Sequence, residues 1–330
     1  MTTTTTTALH HQTALNPSTA RRSVRGRSLL VGAFLSAAFI SAVHAGNDAS
    51  DKLAKSILEP EPERRVHVLI NLEVSDHYIT PRGLDVENQG VVFQPLALIF
   101  WDLYSSKDGF LNDVTLTTGV WNSWHTRKSG ANPGQWNEID PISGLTFKFA
   151  KDWTFDAFYT AFVSQTDSYP TSTNLDLKLT YHDHFLGDFS INPYVEWFKE
   201  ISQKATVALV PAEQHESYYF SLGIDPTWSS KKCPVKVELP TSINLVDTHF
   251  YQKFDGTGGG AGLAVFSTEL KLSVPLTFIP KSYGSWTAYA GVQYYHLSNA
   301  GLLDGNIALN ATSERLHNLV QFHGGVSIFF

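Results

Sequence analysis

From Val320 to the final Phe330 the chain alternates. Val320, Phe322, Val326, Ile328 and Phe330 fall on one side of an extended strand, and Gln321, His323 and Ser327 fall on the other. The same period of two recurs upstream. Leu175, Leu177, Leu179 and Tyr181 oppose Asn174, Asp176, Lys178 and Thr180. Phe189, Ile191, Val195 and Trp197 oppose Ser190, Asn192, Tyr194 and Glu196, and Leu270, Leu272, Val274 and Leu276 oppose Glu269, Lys271 and Ser273. A helix would need apolar spacings of three and four, which these segments lack. Strands with one apolar and one polar face need somewhere to put the apolar face. Two packed sheets in a soluble sandwich would bury it, and a closed barrel would turn it to lipid.

The other end of the chain bears on that choice. Met1–Ala20 is Thr-rich, Arg21, Arg22, Arg25 and Arg27 form a basic cluster, and Leu29–Ala42 is an apolar run followed by Val43-His44-Ala45-Gly46. This pattern reads as a secretory signal peptide over 1–45, cut after Ala45. The apolar run is shorter than the ~20 residues of a spanning helix. A mitochondrial presequence is the alternative. Residues 46–65 are charged and end in Glu59-Pro60-Glu61-Pro62-Glu63, which suits neither a strand nor a helix interior, so they read as a periplasmic lead-in. No later segment could span a membrane as a helix. An exported membrane protein of this kind must therefore be a barrel, the other form that satisfies every backbone polar group in lipid.

Composition narrows the classes further. The chain is 42% hydrophobic, 13% aromatic and only 17% charged, which is unusual for a soluble domain. A net charge of -7 implies no nucleic-acid partner. The single cysteine, Cys233, excludes an internal disulfide. No cofactor is expected.

About twelve strands can be drawn, at roughly 66–79, 91–104, 111–126, 138–150, 153–166, 171–183, 188–201, 216–228, 234–247, 261–277, 285–298 and 316–330. Their connections alternate between short (105–110, 151–152, 184–187, 229–233, 278–284) and long (80–90, 127–137, 202–215, 248–260, 299–315), with 167–170 the exception. Short periplasmic turns alternating with longer outer loops are the barrel pattern, with both ends of 66–330 in the periplasm. Trp101, Tyr104, Trp121, Trp124, Trp153, Trp197, Trp228 and Trp286 fall near strand ends, as interfacial belts would. Pro95, Pro193, Pro240 and Pro275 fall inside strands, where each removes a ladder donor, and mark expected bulges or breaks.

Two resemblances bear on function. The stretch Val74–Gly83, then Val92-Phe93-Gln94-Pro95, Thr118-Gly119-Val120-Trp121 and Glu138-Ile139-Asp140, resembles the TorF-type porins, a family of uncharacterised outer-membrane proteins. The C-terminal strand closed by Phe330 also resembles the end of a bacterial outer-membrane barrel. These likenesses imply a Gram-negative outer-membrane barrel passing small hydrophilic solutes, with membrane lipid as its other partner and homo-oligomerisation left open. Tyr294-Tyr295-His296-Leu297-Ser298-Asn299 is similar instead to the His-x-Ser-Asn motif of PagL-type lipid A deacylases and outer-membrane phospholipase A. It implies a lipid-facing ester hydrolase in which His296 activates Ser298, with Glu314 as the third member and Asn310 or Asn318 as alternatives. The other reading puts His296 in the aromatic girdle and opens a loop at Ser298-Asn299. The porin reading leads, with no catalytic residues, and the hydrolase is the alternative.

A pore needs a polar interior. On the polar faces lie Glu73, Lys148, Asp176, Lys178, Glu196, Lys236, Glu238, Glu269 and Lys271, with both signs and several same-face pairs at i and i+2. Mixed signs fit a wet pore or a lumen closed by ion pairs, and no ring of one sign stands out. Arg82-Gly83 either turns the first outer loop or folds inward, with Arg82 constricting the pore. His182, Asp183 and His184 read as a structural turn rather than a metal site, and Gly256–Gly262 as an outer loop.

Overall fold

The computed structural model describes residues 65–127, 135–184, 186–206, 215–230, 232–310 and 312–330. The signal-peptide reading of 1–45 and nearly all of the 46–65 lead-in lie outside the described residues. The strands are β1 (Val66–Ser75), β2 (Tyr78–Ile79), β3 (Asp85–Glu87), β4 (Val92–Ser105), β5 (Leu111–His125), β6 (Trp136–Phe149), β7 (Trp153–Ser164), β8 (Ser172–Tyr181), β9 (Phe189–Ser190), β10 (Pro193–Ser202), β11 (Tyr218–Ile224), β12 (Thr227–Ser230), β13 (Cys233–Glu238), β14 (Thr241–Val246), β15 (Gly262–Pro275), β16 (Ser285–Leu297) and β17 (Asn318–Phe329). One helix, α1 (Ala300–Asn310), precedes β17.

All but β2 and β3 join one antiparallel sheet that closes on itself. Neighbours in the chain are neighbours in the sheet, and β1 pairs with β17 at Leu69↔Phe329 through Ser75↔His323. The result is a closed barrel of twelve antiparallel strands, three of them broken into two segments. Closure pairs the long strands on both sides, while the two-residue β9 pairs only with β12. The short turns fall at the end where β1 begins and β17 finishes, and the long loops fall at the other. None of the described helices is long and apolar enough to cross a membrane.

The breaks have a common cause. β9 gives way to β10 at Asn192-Pro193, β11 to β12 at Asp225-Pro226, and β13 to β14 at Leu239-Pro240. These sites lie side by side, since Pro193 pairs with Ile224 and Ile224 with Thr241. Proline has no N–H to donate, so the ladder shifts around it. Asp225 N–H donates to the Ile191 carbonyl at 2.9 Å, and Leu239 N–H to that of Pro226 at 2.9 Å. The Asp183 carboxylate accepts the N–H groups of Ile191 and Asn192 at 2.6 and 2.8 Å, and holds Asn192 at a φ of 48°. Pro275 ends β15, whereas Pro95 stays within the ladder opposite Leu72.

The barrel is inside-out relative to a soluble protein. Leu72, Val74, Phe93, Trp101, Phe220, Leu222, Leu270, Leu272, Val274 and Phe322 are exposed on its outer wall. Glu138, Asp140, Asp156, Asp176, Lys178, Glu196 and Glu200 are buried on the inner one. A sandwich would have buried the first set between its sheets, so that alternative falls. Exposed apolar surface this extensive marks contact with lipid or with another apolar partner. Trp101, Trp124, Trp136, Trp153 and Trp228 sit on the outer wall, with Trp124 and Trp136 stacked at 5.1 Å. Trp121 is a correction. It shares the inward parity of Thr117 and Ser123 and lies buried in the lumen, because its place in the alternation, not its nearness to a strand end, sets its direction.

Candidate functional site: the lumen and its outer plug

The residues read as pore-lining all lie on inward-facing positions of their strands. Lys236 and Glu238 pair at 2.8 Å, as their i, i+2 spacing allows. Asp176 and Lys178 share a face, but the Lys178 ammonium turns to Asp225 at 3.8 Å and sits 3.8 Å from the Tyr194 ring centre. Glu269 and Lys271 diverge in the same way. Glu269 meets His323 Nε2 at 2.9 Å, while Lys271 lies 4.6 Å over the Tyr289 ring. Glu73 joins from β1, accepting from Tyr289 Oη at 2.9 Å and standing 3.4 Å from His323 Nδ1. Lys148 takes the inward parity of β6, opposite Thr154.

Several lumen residues were not singled out from sequence. Its alternation puts His323 on a polar face without marking a role for it. Glu138, Asp140, Asp156 and Glu200 share inward parity with residues that were named, and consistent use of the alternation finds them. Glu200 gathers Lys204 Nζ at 2.6 Å, Thr206 Oγ1 at 2.6 Å and Ser217 N–H at 2.8 Å, which ties the residues just after β10 to those just before β11.

The first outer loop folds into the barrel. β2 and β3 form a small hairpin, with Thr80 N–H donating to the Leu84 carbonyl and Gly83 N–H to that of Thr80, both at 2.8 Å. Gly83 has a φ of 81°, and a Cβ there would come 2.6 Å from Leu297 Cδ2, so glycine is required on both counts. Thr80, Arg82 and Leu84 are fully buried. Parts of both readings of Arg82-Gly83 are present: Gly83 turns the loop, and the Arg82 side chain points inward. Its guanidinium carbon lies 4.1 Å from the Phe198 ring centre, 5.4 Å from that of Phe162 and 5.7 Å from that of Tyr219.

Helix α1 clamps this hairpin. Asn299 Oδ1 accepts the Gly301 and Leu302 N–H groups at 2.9 and 3.2 Å, capping the helix start. Asn306 then makes two bonds to the hairpin: its Oδ1 accepts Asp85 N–H at 3.0 Å, and its Nδ2 donates to the Gly83 carbonyl at 2.9 Å. Asn310 Nδ2 donates to both the carbonyl and the carboxylate of Asp85 at 3.1 Å. Burial pushes the Asp85 carboxyl up to about 6, with Glu87 and Asp76 adding to the rise while His77 and Asn310 oppose it. From a third loop, Tyr251 Oη donates to the Arg82 carbonyl. Beneath the plug lies a cavity of about 170 Å³ lined by Tyr78, Trp121, Glu269, Gln293, Tyr295 and Gln321, among others.

The hydrolase motif is laid out differently. His296 and Ser298 are exposed at the outer end of β16, and His296 faces outward. His296 Nδ1 meets Asn318 Oδ1 at 3.0 Å, whereas Ser298 Oγ donates to the Leu263 carbonyl at 2.8 Å. Of the three third-member candidates, Asn318 is beside His296 and Asn310 is turned to Asp85. Glu314 is exposed, its N–H bonded to Thr312 Oγ1 at 3.2 Å. His182, Asp183 and His184 go to separate partners: Thr154, the Ile191–Asn192 backbone and Asp152.

No family model and no curated protein matches the chain, so neither sequence resemblance gains support there. Solved barrels are similar in outline. An outer-membrane channel from Pseudomonas putida F1 is 9% identical, with a TM-score of 0.44 over 82% of this chain and 100% of its own. The NanC porin is 10% identical, with a TM-score of 0.40 over 79% and 98%. The transport unit of the autotransporter AIDA-I from Escherichia coli is 11% identical, with a TM-score of 0.35 over 86% and 97%. Scores this low carry no argument about what the chain does.

Proposed function

We propose that this chain is a porin-like outer-membrane channel for passive diffusion of small hydrophilic solutes, resting with its outer mouth closed by the first loop. One observation carries the reading: a closed barrel with an apolar outer wall keeps charged and amide side chains along its inner wall, around a cavity. A lumen with no solute to pass would be stabilised more simply by apolar packing, since buried ion pairs seldom outperform it. The outer wall meets membrane lipid, and self-association is left open.

The reading assigns no chemistry to His296 and Ser298. The Ser298 hydroxyl is bonded to a backbone carbonyl, and a base must accept a nucleophile's proton directly or through one water.

Conductance in planar bilayers tests the channel. Discrete steps, frequent once residues 76–91 are replaced by a short linker, support it, and a well-inserted linker variant that stays silent removes it. Release of fatty acid from membrane lipid by the wild-type protein, lost in Ser298→Ala, would favour the hydrolase instead.

A further inference from the structure

The site that Arg82 occupies has the composition of a receptor for an organic cation. Three rings surround its guanidinium, from Phe162 on β7, Phe198 on β10 and Tyr219 on β11, with Phe198 closest at 4.1 Å. Rings at such distances attract a cation through their negative faces, and they select a flat, weakly hydrated one over a small hydrated ion. Carboxylates complete the enclosure. Asp176 lies opposite Phe198 in the β8–β10 ladder, with Glu196 two residues along β10, and Glu138 and Asp140 are buried on the same inner wall. Tyr219 Oη donates to Glu196 at 2.9 Å, and Tyr78 Oη and Tyr169 Oη donate to Glu138 at 2.9 and 2.6 Å, which fixes both carboxylates in place.

Asp176 gives the second observation. It is 3% exposed, and neither of its oxygens has a hydrogen-bond donor among the described residues. A carboxyl buried in that state either takes up a proton or draws a cation, and a cation placed beside it favours the ionised form. The barrel wall supplies the rings and the carboxylates, while a loop from outside supplies the cation. When the loop leaves, Tyr78 goes with it and Glu138 keeps only Tyr169, while the three rings and the Tyr219–Glu196 bond stay on the wall.

We infer that this cage is a binding site for a free guanidinium-bearing organic cation, and that Arg82 is its tethered occupant. A free cation and Arg82 then compete for one place. Since a ligand shifts an equilibrium toward the state it binds, such a solute favours the loop-out, open state. The inference rests on the channel reading for its effect on opening, but not for binding.

Two measurements test it. The first is thermal melting of the Arg82→Ala barrel in detergent with propylguanidinium chloride, against equimolar sodium chloride and urea. The expected result is a saturable rise in melting temperature with propylguanidinium alone, absent in wild type and abolished by adding Phe198→Leu. No difference from sodium chloride overturns the site, even if the barrel conducts. The second uses unmodified protein and needs no variant to fold. Propylguanidinium on the outer side should raise the open probability of wild-type channels at least about tenfold over equimolar sodium. Channels that open equally in both salts overturn the competition. Channels silent under every condition count against the channel reading, and the melting result still decides the site.

Discussion

Asn306 is the residue by which α1 holds the plug, and its removal gives the most quantitative test of the closed mouth. Asn306→Ala deletes one acceptor at 3.0 Å from Asp85 N–H and one donor at 2.9 Å from the Gly83 carbonyl. Both backbone groups belong to a hairpin with Leu84 at 0% exposure and Asp85 at 2%, so water does not replace the lost partners while the loop stays in. A buried polar group left unpaired costs about 1–3 kcal/mol. Two such groups, partly relieved by small backbone shifts, cost about 2–4 kcal/mol. The penalty falls only on the closed state, because a withdrawn loop regains water. The equilibrium should therefore move toward opening by about 30- to 1,000-fold. Open probability in single-channel records reads this directly, and protease sensitivity of 76–91 reads it without a bilayer. An Asn306→Ala barrel that melts like wild type, stays closed and protects the loop equally would refute the claim that α1 clamps the plug.

Three further outcomes follow from the same contacts. Gly83→Ala forces a β-carbon into a backbone with φ 81° and against Leu297, so it should loosen the plug by about 1–2 kcal/mol, seen as faster cleavage within 76–91. Asp85 has its carboxyl raised to about 6 by burial. A raised carboxyl pKa makes the closed loop most stable below the ordinary aspartate range, and that stability is lost as pH climbs toward and through 6. Wild-type open probability should rise over that window by at most about a hundredfold, and Asp85→Asn should flatten the profile. Asp183→Ala removes the acceptor for two N–H groups at the β9–β10 break and should destabilise the barrel by about 2–4 kcal/mol, visible as a lower heat-unfolding midpoint with gating unchanged.

Much of the architecture was legible because a barrel writes itself in alternation. Each strand must present one parity to lipid and the other to the lumen, so Leu270-Lys271-Leu272-Ser273 fixes its own orientation without reference to distant residues. The same rule gives the inward parity of the nine residues read as pore-lining and the outward face of His296. Trp121 shows the limit of a cue taken from position alone: aromatic and near a strand end, it still points inward. The plug was only half legible. Arg82-Gly83 admitted an inward fold, but the Asn306 clamp joins residues more than two hundred apart, and no local pattern announces such a pairing. Nor does alternation say which inward charges meet. Lys178 reaches Asp225 at the β11–β12 break, rather than its face-mate Asp176, because distances between strands that are not neighbours depend on the closed barrel.

The central claim is a conducting lumen held shut by its first outer loop. Single-channel recording of wild type beside the variant with 76–91 replaced by a linker tests it most directly. Rare openings in the first and discrete, frequent steps in the second are predicted. Equal silence from two well-inserted barrels, or equal conductance from both, would contradict it.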